Sequence, residues 1–129
     1  MGLRIFISLL LLLPASCQLG NPYDPVPKQL MPQVELFGDI VRWRDLRKMY
    51  AFGKAGSRWP VQEGLDNIRV TGYEAGALNE IRPWRWGQSV LISYVLVDRQ
   101  VVRQTLDQQV WVSEDQGKTW FRENPPPRF

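Results

Sequence analysis

Gln88-Ser89-Val90-Leu91-Ile92-Ser93-Tyr94-Val95-Leu96-Val97 followed by Asp98-Arg99-Gln100 and then Val101-Val102-Arg103-Gln104-Thr105-Leu106-Asp107-Gln108-Gln109-Val110-Trp111-Val112 decides the fold. Both runs are rich in β-branched and aromatic residues, and three polar residues separate them. They read as two long antiparallel strands joined by a tight turn. In the first, Val90, Ile92, Tyr94 and Leu96 share one face, and Leu91, Val95 and Val97 share the other. Apolar residues on both faces predict a central strand covered on two sides. In the second, alternation predicts that Val102, Leu106, Val110 and Val112 face inward. Arg103, Thr105, Asp107 and Gln109 then face outward.

Upstream, Ile68 to Glu74 alternates and is β-rich, which predicts a further strand. Ala75 to Asn79 reads as a small-residue turn. Val34 to Phe52 is the one long helical stretch, with Gly53 and Gly56 as its stop. Its apolar positions do not form a single stripe. Leu36, Phe37, Ile40 and Val41 point one way, and Trp43, Leu46 and Tyr50 point roughly opposite. The helix is therefore bent or split near Arg42, or covered on two sides. Arg42, Arg44, Arg47 and Lys48 make this stretch basic. They suit either an anionic surface or a solvated face with Asp39–Arg42 and Asp45–Lys48 pairs. The order of elements predicts an α+β fold: an N-terminal helix on a curved antiparallel sheet of about four strands.

The first residues carry a different message. Met1-Gly2-Leu3-Arg4 is basic, Ile5 to Leu13 is apolar, and Pro14-Ala15-Ser16 ends in small residues before Cys17, the single cysteine. That order is a secretion signal, and the run is too short to span a membrane. The placing of Cys17 resembles the lipobox of bacterial lipoproteins. Ala15 and Ser16 fit that pattern, whereas Pro14 stands where the family prefers Leu. The resemblance implies cleavage before Cys17, a diacylglyceryl thioether and an acylated amine, with the membrane as a partner through the lipid. An ordinary signal peptide would instead leave an unpaired thiol. Gln18 rather than Asp follows the cysteine, which in that family implies the outer membrane, facing the periplasm. The chain divides accordingly: 1–16 signal peptide, 17–33 lipidated cysteine and Pro-rich tether, 34–124 one α+β domain, and 125–129 an extended tail.

Composition removes several function classes. The chain has no His, so Cys/His metal centres and His-based triads are excluded on residue supply. No cofactor motif such as a Gly-rich phosphate loop is present. The net charge of +3 is spread without a basic stripe, which argues against nucleic acid as a partner. No catalytic residue is assigned.

Two local motifs stand out. Ser113-Glu114-Asp115-Gln116-Gly117-Lys118-Thr119-Trp120 matches the S-x-D-x-G-x-T-W pattern of the Asp box found in sialidases and other β-propellers. The resemblance implies a structural turn built by Ser113, Asp115, Gly117, Thr119 and Trp120, with Val110 to Val112 and Trp120 to Arg122 as its arms. It covers eight residues and implies none of the activity. Arg82-Pro83-Trp84-Arg85-Trp86 is the candidate contact surface, with two indoles on one side of an extended segment and two arginines beside them. The competing reading has one indole capping the core and the other on the surface.

The element order is also similar in outline to the cone-shaped fold of the nuclear-transport-factor-like superfamily. Two functions follow as expectations. The first is a non-catalytic, membrane-anchored lipoprotein of the cell envelope that binds an envelope protein partner or serves assembly. The alternative is a small-ligand or enzymatic pocket protein using the concave side of the sheet.

Overall fold

The computed structural model describes residues 25–43 and 45–129. The expected signal segment, Cys17 and the first part of the expected tether lie outside the described residues. The described chain is α+β, with a helix packed on an open antiparallel sheet of five strands. The elements are α1 (Leu30–Trp43), β1 (Ile68–Ala75), β2 (Asn79–Arg82), β3 (Arg85–Leu96), β4 (Val101–Val112) and β5 (Phe121–Arg122), with short 3₁₀ segments at Leu46–Phe52 and Leu65–Asn67.

Helix α1 starts four residues earlier than the sequence reading places it. Pro32 falls in the first helical turn, where a missing N–H costs nothing. Pro27 O accepts from Leu30 N (3.0 Å) and so opens the helix. Leu30, Val34, Phe37 and Val41 form its buried stripe, at spacings of three and four residues. The long helical stretch is split, not bent. Asp45 leaves the helical conformation and its side chain accepts from Arg47 N (3.0 Å), starting the 3₁₀ segment. Arg42 and Arg47 take partners other than an i,i+3 carboxylate. Arg42 stacks on the Tyr73 ring, 4.9 Å from its centroid, and Arg47 pairs with Asp66 (2.9 Å) as well as Asp45.

The sheet runs β1-β3-β4-β5, and β2 pairs with the start of β3 beyond the end of β1. Strands β3 and β4 pair from Arg85↔Val112 to Leu96↔Val101 without a register shift. Asn67 holds the turn between them, with its side chain bonded to Asp98 N (2.9 Å) and Asp98 Oδ1 (2.7 Å). Segment 79–87 is a hairpin. That adds the fifth strand.

The inward face of β4 is opposite to the one expected. Asp107, Gln109 and Trp111 are buried, whereas Val102 is 71% and Leu106 57% exposed. Val90, Ile92 and Tyr94 of β3 are buried beside them, as expected, but the second face of β3 is only partly covered. The polar residues can lie inside because they satisfy one another. Arg122 donates through Nη1 and Nη2 to both carboxylate oxygens of Asp107, and through Nε to Asn124 O (3.0 Å) and Nη2 to Pro125 O (3.1 Å). Gln109 Nε2 donates to Asp107 (3.1 Å) and to the Tyr73 hydroxyl (3.1 Å), and Gln109 Oε1 accepts from Trp111 Nε1 (3.0 Å). A buried polar group with all its bonds made avoids the desolvation penalty that would otherwise expel it. Alternation gives the period of a strand, and this network sets its phase.

Above the network, Phe37, Phe52 and Trp111 meet edge to face, with centroids 5.1 to 6.0 Å apart. The guanidinium of Arg122 lies over the Phe37 ring at 4.9 Å. The tail is part of the domain, not a free extension. Pro126 and Pro127 are buried, Phe129 meets Tyr94 edge to face at 5.1 Å, and Gln62 bonds both Phe129 N (2.9 Å) and Phe129 O (2.7 Å).

Candidate contact site at the Trp84 hairpin

Residues Arg82 and Arg85 pair at the end of the β2–β3 hairpin, leaving Pro83 and Trp84 as its two turn residues. Pro83 supplies the fixed φ that suits the first of these positions. Trp84 takes the second with φ 64°, a conformation a bulky side chain adopts only when its surroundings hold it there. Those surroundings come from the 113–120 turn. Trp84 O accepts from Ser113 N (3.0 Å), and the Trp84 ring lies 6.5 Å from the Trp120 ring. A Cβ placed on Gly117 would come within 2.8 Å of the Trp84 ring. The candidate contact hairpin and the turn are therefore packed as one unit.

The two indoles differ in burial. Trp86 is buried in β3, opposite Trp111, while Trp84 remains 44% exposed. The burial of one indole and the partial exposure of the other match the competing reading, in which one caps the core and the other lies on the surface. Both still line one shallow groove of about 330 Å³ together with Pro25, Pro27, Glu80 and Pro83. Pro25 and Pro27 thus form one wall, so the groove lies beside the segment that leads into α1. Arg85 is ion-paired with Glu123, and Arg82 is exposed.

The turn itself is closely bonded. Ser113 Oγ donates to Asp115 Oδ1 (2.8 Å) and accepts from Gly117 N (2.8 Å). Asp115 also accepts from Thr119 N (2.9 Å) and Thr119 Oγ1 (2.5 Å). Trp120 Nε1 donates to Gly117 O (3.2 Å), and Gly117 has φ 86°. These bonds, those of the Thr119 hydroxyl first, hold the Asp115 carboxyl down to about 2. Its arms are β4 and β5, paired at Trp111↔Arg122 and Val112↔Phe121.

Sequence reasoning missed the Asp107–Arg122–Gln109–Tyr73 cluster altogether. Tyr73, the Asp107/Gln109 pair and Arg122 are far apart in the chain, and alternation assigns Asp107 and Gln109 to the outward face. Burial raises the Tyr73 hydroxyl, while the Gln109 bond acts against that shift. The charged groups of this cluster spend their hydrogen bonds on each other and on the chain around them. Among the described residues no group of three or more His, Cys, Asp or Glu side chains could hold a metal ion, and no helix is long and apolar enough to cross a membrane.

No protein-family model, curated protein or solved structure matches this chain.

Proposed function

We propose that this chain is a non-catalytic binding or assembly module of the bacterial cell envelope, anchored through a lipid on Cys17 and docking a protein partner at the Trp84 hairpin. The observation that carries the docking reading is the combination of exposure and rigidity at Trp84. Its indole is 44% exposed, yet its backbone is fixed in a turn and its ring rests on Gly117 and Trp120. An aromatic side chain already immobilised before binding loses little further entropy on contact, which is the physical basis of an interface hot spot. The neighbouring groove is largely apolar, with Glu80 on its wall, and so suits a partner segment pairing an apolar side chain with a basic group. The order of basic, apolar and small residues before Cys17 supports the anchor.

Two substitutions test the two halves separately. Cys17→Ser is expected to leave unprocessed precursor and to remove the lipid mass. Normal maturation of that variant to a soluble periplasmic protein would overturn the anchor. For the docking half, a photo-crosslinking residue at Arg82 in the anchored protein is expected to yield one defined envelope-protein adduct. Trp84→Ala should reduce its yield at matched folded concentration, with a loss of about 2 kcal/mol or more in binding. An undiminished adduct would overturn the Trp84 assignment.

A further inference from the structure

The inverted face of β4 leaves an apolar row outside the molecule, and that row lies on an open sheet edge. Beyond residue 107 the edge is occupied. Glu123 N donates to Val110 O (2.8 Å), Asn124 Oδ1 accepts from Val110 N (3.0 Å), and Asn124 Nδ2 donates to Gln108 O (2.7 Å). At the other end the chain turns at Gln100, whose φ is 53°. Between these limits, over 101–107, no described segment pairs with β4 on the side away from β3.

The free stretch has a definite polarity. Residues 108 and 110 direct their backbone groups away from β3, so the period of two assigns the same direction to Val102, Gln104 and Leu106. The same three side chains project on the outer face, where Val102 lies beside Val95 and Leu106 beside Leu91. Unpaired backbone groups next to exposed branched apolar residues form a template for another strand, and native proteins usually block such an edge.

We infer that this edge pairs with the same edge of a second copy, antiparallel about a two-fold axis at Gln104. Three observations select that occupant and that register. Gln104 is the midpoint of the free stretch 101–107, so each copy fills the other's edge without meeting the Asn124 clamp or the Gln100 turn. Pairing Gln104 with Gln104 of the second copy sets Val102 against Leu106 and Leu106 against Val102, joining apolar side chains on one face, and lets all three outward-directed residues exchange both backbone bonds. The axis one residue earlier would place Arg103 opposite Arg103, a like-charge pair. The axis one residue later would set Val102 against Gln108 and Leu106 against Gln104. With the axis at Gln104 the one exposed charged side chain of the free stretch, Arg103, faces Thr105. The product is a closed, isologous dimer with one continuous sheet.

Cross-linking in the full chain carrying Cys17→Ser tests the register, since Cys17 itself could link two copies. Gln104→Cys would bring two Cα atoms to about 5.5 Å, within disulfide range. Val102→Cys and Leu106→Cys singly would leave like positions about 13 Å apart, whereas the two together form cross-links. The expected result is rapid disulfide dimer for Gln104→Cys and for the double variant, and little for either single variant. Gln104→Pro removes the outward N–H and the exposed bond from Gln104 Nε2 to Ser93 Oγ (3.2 Å), and leaves the β3 ladder, which uses the odd residues, intact. It should weaken self-association at least about tenfold, with a thermal melt little changed at concentrations where both proteins are monomeric. A monomeric protein, cross-linking that does not depend on position, or an undiminished dimer in Gln104→Pro would each overturn the proposal. Should Gln104→Pro disturb the fold, the cysteine series decides alone.

Discussion

Arg122 and Asp107 form a bidentate ion pair with both side chains almost wholly buried, at 1% and 2% exposure. The pair joins the final strand to the middle of β4 and lies directly under Phe37 of α1. Removing both charges from water is costly, and their mutual attraction offsets that only because the remaining donors of Arg122 also find carbonyl oxygens. The pair accordingly determines which way β4 faces more than it adds to stability.

Breaking it from one side should be severe. Asp107→Leu leaves the Arg122 guanidinium buried without its counter-charge, and a loss of about 3–5 kcal/mol is expected in chemical denaturation. Adding Arg122→Met to that variant should recover much of the loss, since two apolar side chains of similar volume suit the rings of Phe37 and Trp111. If the double variant is no more stable than Asp107→Leu alone, the pair is not an energetic unit.

Gly117 should tolerate substitution poorly for two separable reasons. Its φ of 86° disfavours any side chain, and the added Cβ would press on the Trp84 ring at 2.8 Å. Gly117→Val is expected to cost about 1–3 kcal/mol from the backbone alone. Gly117→Ala should cost less in a Trp84→Ala background than in the native one. A double-mutant cycle on denaturation free energies measures that difference, and strict additivity would show that the ring does not rest on the turn.

Asp115 should make the protein sensitive to acid in a defined window. Its carboxyl is held at about 2 in the fold, chiefly by the Thr119 hydroxyl and amide. An ordinary Asp lies near 4 when unfolded. A folded value below the unfolded one means the stabilisation is complete above about pH 4 and is lost as pH falls through about 2. Melts of the native protein and of Asp115→Asn, recorded from neutral pH down to pH 2, should therefore converge on acidification. Parallel curves across that window would contradict the bonding at Thr119.

The chain end should contribute to the fold through Gln62. That side chain both accepts from Phe129 N and donates to Phe129 O, and the Phe129 ring then covers Tyr94. Gln62→Ala should destabilise by about 1–2 kcal/mol and alter the near-ultraviolet signal of the tyrosines. An unchanged melt would mean that the tail docks through its rings alone.

The sequence by itself determined the α+β class, the two long strands and the turn between them. Each rests on a local signal: periodicity, β-branched content or a polar break. The split near Arg42 was visible as two disagreeing apolar arcs, although not which of three remedies the chain adopts. The candidate hairpin was legible as a segment, while no local preference announces the positive φ at Trp84, and the unequal burial of its two indoles depends on the elements packed around them. Only the tertiary structure decided the phase of β4. Val102 and Leu106 have the hydrophobicity of core residues, and Asp107 and Gln109 the polarity of surface ones. The assignment reverses because Arg122 and Tyr73 arrive from other strands and join Trp111 of β4 itself in completing the hydrogen bonds of Asp107 and Gln109. Alternation in a strand records that two faces differ. Which face is buried depends on partners distant in the chain, and the burial of polar groups is permitted only once those partners are in place.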